Sequence, residues 1–286
     1  MTAESTKSEN TYPLDPESEA EMGRLLDQDL LLNRTMEGLF PEQLDLSNVH
    51  RVLDVACGPG GWALEVAFEY PDMEVRGVDI SRLMIAYANM RAKTQGLDDK
   101  ATFKIMDVTK PLDFPDNYFD FVNMRYLCLF MRKEAWPRLL AECMRITRPG
   151  GIIRLSEPEC SFSNTPAFEK YWGLFYQALT KCGQSFSPNG QNFCITVMLK
   201  RLLRDAGCQN IQRKAYVLDY SAGEEANQSV YQDLKVGFVL ALPFIQKANV
   251  APPEVAKALC EQGVQEMKSE EFCALWFILS VWGQKL

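Results

Sequence analysis

Residues 51–61 read RVLDVACGPGG, and the rest of the chain is arranged around them. Val52, Leu53 and Val55 form a short aliphatic run of the type that fills a buried parallel strand. The run stops at Cys57-Gly58-Pro59-Gly60-Gly61, and a helical pattern begins at once over residues 62–70. Strand, glycine turn and helix N-terminus together let a ligand approach the backbone. Glycine carries no Cβ, and the first helical turn leaves N–H groups without internal partners. Gly58-x-Gly60-x-x-Ala63 also meets the spacing of a dinucleotide-binding turn, so the glycines alone leave the ligand open. Asp54, near the end of the strand, narrows the choice. Its carboxylate can hold the turn by accepting backbone N–H groups or can face a cationic ligand group.

The D-x-x-C-G-x-G pattern at Asp54, Cys57, Gly58 and Gly60 resembles the first motif of class I S-adenosylmethionine (SAM)-dependent methyltransferases. Members of that family often have Gly where this chain has Ala56. The departure is mild, because Ala still permits a close backbone approach.

Further along, Pro71 ends the first helix and residues 75–79 read as a second strand. Asp79 stands 19 residues after Gly60, close to the spacing expected of an acid that accepts hydrogen bonds from two ribose hydroxyls. Its other possible role is to cap the following helix, which Ser81 opens and which runs to about Gly96. Residues 102–106 read as a third strand ending at Asp107-Val108, where the family's members meet the adenine ring; a simple turn acid is the alternative. The phrase F-P-D-N-Y-F-D over residues 114–120 leads into a fourth strand, 119–124, and resembles the family's approach to that strand. Arg125 and Tyr126 stand at its carboxyl end, where open α/β sheets bind ligands. A helix is expected over 132–147. Arg148-Pro149-Gly150-Gly151, another family trait, then turns into a fifth strand at 152–156, followed by Glu157 and Glu159.

Outside this alternation lie the segments expected to form a cap. Residues 17–40 carry Met22, Leu25, Leu26, Leu30, Leu31 and Met36 near helical spacing, with Pro41 as the stop. Laid over the ligand mouth, this helix would bring in Tyr12, Arg24 and Gln28; a plain packing helix is the alternative. Residues 166–182 form an aromatic-rich helix around Trp172 and Tyr176, suited to core packing or to the wall of an apolar pocket. Helices are also expected over 193–206, 226–247 and 254–268, with a strand over 211–220. Residues 274–282 fit the reversed last strand of the family's sheet.

The expected organisation is therefore a polar tail (1–10), an N-terminal helical cap (11–50), a Rossmann-like core (51–220), an inserted helical cap (221–271) and a final strand (272–286). The fold class is α/β, with a seven-stranded, mostly parallel sheet. The resemblance implies SAM, and its product S-adenosylhomocysteine, against Asp54, Ala56, Cys57, Gly58, Gly60, Asp79, Ile80, Met84, Asp107, Val108 and Arg125. Tyr12 and Arg24 would reach in from the cap. Arg125, Tyr126 and Glu157 are the expected catalytic residues.

The net charge of −8 disfavours nucleic acid and anionic membranes as partners. So does the lack of an Asn/Asp-Pro-Pro-Tyr/Phe phrase after the fourth strand, which amino-methylating nucleic-acid and protein enzymes of this fold often carry. A small, partly apolar acceptor is expected, with a homodimer as the other use of the same apolar helices. Nine scattered cysteines without a CxxC pair suit reduced thiols in the cytoplasm. His50, the only histidine, lies ahead of the first strand and reads as structural. No metal-ligand spacing is present. Two other classes share the glycine turn: a nicotinamide-dependent oxidoreductase, against which Asp54 and Asp107 speak, and a SAM-binding partner protein without catalysis.

Overall fold

The computed structural model describes residues 11–42 and 44–286; the polar tail read at 1–10 lies outside them. The motif strand, β1 (Arg51–Val55), sits inside a seven-stranded sheet. It pairs in parallel with β2 (Glu74–Asp79), Leu53 opposite Arg76, and with β4 (Phe119–Arg125), Leu53 opposite Val122. Beyond β2 lies β3 (Ala101–Ile105); beyond β4 lies β5 (Thr147–Ser163). The last strand, β7 (Ala274–Gln284), inserts antiparallel between β5 and β6 (Gln209–Asp219), giving the order β3-β2-β1-β4-β5-β7-β6. This is the expected mostly parallel sheet with a reversed last strand. Strand order reverses at β1, so the crevice for a ligand opens at the carboxyl ends of β1, β2 and β4.

Alternate residues of β1 serve opposite faces, as a strand's period of two requires. Val52 packs with Trp62, Val66, Val75 and Phe121, whereas Leu53 and Val55 pack with Val78, Val122, Met124 and Leu139. Helices cover both faces: α2 (Gly61–Glu69), α3 (Arg82–Thr94), α4 (Trp136–Ile146), α5 (Pro166–Lys181) and α6 (Thr196–Asp205). Helix α1 (Glu19–Thr35) and the late pair α7 (Asn227–Lys247) and α8 (Pro253–Glu266) complete the molecule, and α1 packs on α7. Among the described residues no helix is long and apolar enough to cross a membrane, and all nine cysteines are free thiols.

Three boundaries differ from the sequence reading for identifiable reasons. Helix α1 ends at Thr35, before Pro41, because the chain turns left-handed at Glu37 and Gly38. Phe40 consequently leaves the helix and plugs the core edge-on against Trp62, Tyr70 and Phe121. The helix expected from residue 132 starts at Trp136, with Pro137 in its first turn, after short 3-10 turns at Leu127–Leu129 and Lys133–Ala135. Finally, β5 does not stop at 156. Its antiparallel partner continues the ladder, Glu157 opposite Leu279 and Pro158 opposite Ile278, and after a register shift between Pro158 and Ser161 carries it to Ser163.

Candidate functional site

At the end of β1 the chain turns through three left-handed residues: Ala56 (φ 58), Gly58 (φ 52) and Gly60 (φ 76). Glycine accepts this at no steric cost, whereas Ala56 pays on the order of 1–2 kcal/mol for its Cβ. Gly60 caps α2 and lies beneath the turn rather than on the cavity wall: a Cβ there would stand 2.8 Å from the Phe103 ring and 2.9 Å from the Ala88 Cβ. Glycine at position 60 thus meets a packing requirement, which lets α2 and α3 close over β3.

The turn opens into a cavity of about 150 Å³ at the carboxyl ends of the parallel strands. Asp54, Ala56, Cys57, Gly58, Asp79, Ile80, Met84, Asp107, Val108, Arg125, Tyr126 and Tyr12 all line it, as the sequence reading expected. Asp79 accepts from the Gly58 N–H at 2.9 Å and the Ser81 N–H at 2.9 Å, one bond to each oxygen. Both bonds fix the carboxylate at the mouth while leaving lone pairs for a ligand. Asp107 accepts from the Thr109 N–H and hydroxyl and pairs with Lys110 at 3.1 Å. Asp54 is buried and accepts from the Asn123 amide at 2.8 Å. Asn123 in turn accepts from Arg154, whose other end pairs with Glu42 at 3.0 Å. Burial pushes the Asp54 carboxyl up to about 7, against the opposing pull of Arg125 and Asn123.

Helix α1 roofs this cavity with Leu25, Gln28, Asp29 and Leu32. Arg125 ties it down, donating to Asp29 at 2.6 Å and to Asn33 at 3.1 Å. Asp29 also accepts the Trp62 N–H in the first turn of α2, where a carboxylate complements the helix dipole; burial nonetheless raises its pKa. Asp29 was missed in the sequence. It is one of several acids on α1, and no local pattern marks which of them meets a turn some thirty residues away.

Arg24 does not reach the cavity. Its guanidinium is spent inside the molecule, on both oxygens of Glu21 at 2.7 Å and on Asp233 of α7 at 2.8 Å. Tyr12 donates to the same Glu21 at 2.5 Å. Glu157 is likewise removed from any catalytic position. The continuation of β5 carries it into the interior, fully buried, where it accepts the N–H groups of Leu127 and Cys128 and thereby caps the 3-10 turn after β4. Burial raises its pKa to about 7.

A second, smaller cavity of about 60 Å³ adjoins the first, and Gln28, Tyr126 and Leu129 line both. Its other walls carry six aromatic rings, Tyr171, Trp172 and Phe175 from α5, Phe193, Phe238 from α7 and Trp276 from β7, together with the paired Arg24 and Asp233. Tyr176, expected in this wall, instead turns its hydroxyl to the Ser161 N–H and lies outside it. Tyr126 sits at the junction in a left-handed conformation (φ 60) and meets Trp276 edge-on at 6.0 Å. A non-glycine residue there stores on the order of 1–2 kcal/mol of strain.

Residues 52–151 match the methyltransferase domain family model. The demethylmenaquinone methyltransferase of Symbiobacterium thermophilum is 33% identical over 172 residues, 54% of this chain and 67% of that one. Phosphoethanolamine N-methyltransferase 3 of Arabidopsis thaliana is 34% identical over 128 residues, 45% of this chain but only 25% of the plant protein, so the chain spans a quarter of that relative's length. Among solved structures, the YcgJ protein from Bacillus subtilis superposes with a TM-score of 0.52 at 18% identity, covering 83% of this chain and 93% of that one. A Haemonchus contortus phosphoethanolamine N-methyltransferase 2, solved with phosphomonomethylethanolamine and S-adenosylhomocysteine, gives 0.51 at 17% identity, covering 91% and 53%. At these identities the two structures speak for the fold alone.

Proposed function

Because the chain belongs to the class I SAM-dependent methyltransferases, we propose that it transfers a methyl group from SAM in the first cavity to a small, partly apolar acceptor in the second. The observation that carries this is the junction. A cavity walled by the motif turn and strand-end acids adjoins an aromatic one, and the two share Gln28, Tyr126 and Leu129. The residues fit the group: Asp79, held by two backbone amides, suits a ribose diol; Asp107 and Val108 suit the adenine; and Gly58 leaves the turn open to the methionine end. Bound there, SAM supplies an electrophilic methyl on sulfur, so that the acceptor's electron pair forms the new bond and the carbon–sulfur pair remains on the departing thioether.

The work left to this chain is alignment, exclusion of water and charge balance. Arg125 clamps α1 across the mouth through Asp29 and Asn33. Asp54, when ionised, provides negative charge beside the turn, which favours a cationic ligand; the Asp29 charge is balanced by Arg125. The test is calorimetry of S-adenosylhomocysteine with wild type, Asp79→Asn and Asp79→Ala. Removal of the carboxylate is expected to weaken binding by about 1.5–3 kcal/mol, the range for charged hydrogen bonds. Unchanged affinity in folded variants would remove Asp79 from the site and the cofactor assignment with it.

A further inference from the structure

Two side-chain donors on residues that line the second cavity have no partner. The cavity's charged residues are already committed. Each nitrogen of Arg24 has a carboxylate partner, and the Asp233 carboxylate is held by Arg24 and Gln28. Two neutral donors in the wall are not committed: the Tyr126 hydroxyl and the Trp172 indole N–H are both shielded from solvent without a partner. Indole N–H is a donor only, and phenol donates readily. A buried polar atom left unpaired costs about 1–3 kcal/mol, so a ligand that pairs it recovers that amount.

Both donors are also fixed in place. Trp172 is stacked on Tyr176 at 5.5 Å and meets Phe175 and Phe238 edge-on. Tyr126 is held at the cavity junction by its left-handed backbone and by Trp276. Donors that do not have to be ordered on binding add affinity at little entropic cost. Resting on the reading of this cavity as the acceptor site, we propose that the acceptor is an uncharged or anionic apolar molecule bearing two oxygen atoms as hydrogen-bond acceptors. One oxygen meets Tyr126 beside the first cavity and the other meets Trp172 at the aromatic wall. An ammonium acceptor lacks what these donors need, although the rings alone would tolerate one.

The acceptor's second oxygen thus determines specificity at Trp172, and the oxygen at Tyr126 sets which end of the molecule faces the methyl donor. The experiment uses the full chain saturated with S-adenosylhomocysteine and a matched set of one-ring probes: hydroxyacetophenone isomers (two oxygens), phenol (one), toluene (none) and phenethylammonium (a cation). Dissociation constants are read by ligand-observed NMR. At least one hydroxyacetophenone is expected to bind about tenfold or more tighter than toluene, one or two neutral hydrogen bonds' worth. Tyr126→Phe and Trp172→Phe are each expected to remove several-fold of that preference, and Trp172→Phe, which lies outside the first cavity, to leave the affinity for S-adenosylhomocysteine within about twofold. Tyr126→Phe should not melt lower than wild type, since it removes an unpaired polar atom rather than a bond; Trp172→Phe is expected to melt lower by the ring packing it gives up.

Tighter binding of phenethylammonium than of the oxygenated probes would overturn the proposal, as would an oxygen preference unchanged in both variants. The parent reading fails separately. Oxygen preference without any S-adenosylhomocysteine binding would keep the cavity assignment and discard methyl transfer; S-adenosylhomocysteine binding without oxygen preference would do the reverse.

Discussion

The two adjoining cavities are built in opposite ways. The first takes most of its wall from one continuous stretch, β1 to β4, in which each strand end delivers a polar residue in chain order: Asp54, Asp79, Asp107, Arg125. The second collects single side chains from the segment before α1, from α1, α5, α7 and β7, residues separated by as much as 263 positions between Pro13 and Trp276. One is a property of local backbone geometry and the other of packing. Backbone geometry leaves a signature in sequence because few residues satisfy it; packing does not, because many apolar side chains fill the same space.

The largest test of that contrast falls on the turn. Gly60→Ala introduces a Cβ at φ +76, within 2.9 Å of Phe103 and Ala88. Left-handed strain and overpacking together are expected to cost about 2–5 kcal/mol of stability, read from the midpoint of urea denaturation. A loss below about 1 kcal/mol would mean that the turn is held less tightly than its geometry requires, and the first cavity would then be as tolerant as the second.

What was legible in the chain follows the same division. The reversed last strand followed from the family resemblance, whereas the succession of strands along the chain and the residues around the glycine turn could be read directly. The latter two rest on narrow stereochemical demands: positive φ, a short buried strand, or an acid at a strand end. Three misplacements share a cause. Glu157 was expected at the rim because its strand was expected to stop at 156; an antiparallel partner more than a hundred residues away extends it. Arg24 was expected at the ligand because its helix was laid over the mouth, but Asp233, which neutralises it, belongs to a helix whose docking the sequence does not specify. Asp29 was missed for the converse reason. In each case the deciding partner is distant in sequence, and local pattern carries no information about it.

A smaller effect separates the cavities by charge. Asp54 is raised to about 7 by burial, above its ordinary value near 4. A raised carboxyl pKa favours the folded state below the unfolded pKa, and that contribution is lost as pH climbs through 7. Binding of a cation beside Asp54 runs the other way, because the ligand prefers the ionised form and displaces its proton. Affinity for SAM is therefore expected to rise between pH 5 and 7, by at most about tenfold per unit, and to level off above. Arg125, Asp29 and Asp79 face the same space, and burial raises both of these carboxyls too, so Asp54→Asn is the control: it should reduce the slope while leaving Arg125 clamped. A wild-type profile already flat across this window would place the cationic group elsewhere. Binding in the second cavity, where Arg24 and Asp233 compensate each other, should be independent of pH over the same range.

The smallest effect is the one that sharpens the contrast most, because it repeats the glycine substitution in the packing-built wall. Gly237 lies within α7 and lines the second cavity. A Cβ there would meet the Arg24 side chain, Cδ at 3.7 Å and Nε at 4.0 Å, which are ordinary contacts. Nothing in the backbone demands glycine, and alanine restricts the unfolded chain, so Gly237→Ala is expected to raise stability by about 0.5–1 kcal/mol. The added methyl also occupies part of a space of only about 60 Å³. Binding of S-adenosylhomocysteine should stay unchanged while the bulkiest acceptors are excluded first. The same chemical change would then destabilise one cavity at Gly60 and stabilise the other at Gly237. If Gly237→Ala instead lowered the denaturation midpoint, α7 would require a closer approach to α1 than the Arg24–Asp233 pair alone imposes. The second cavity would then share the stereochemical strictness of the first.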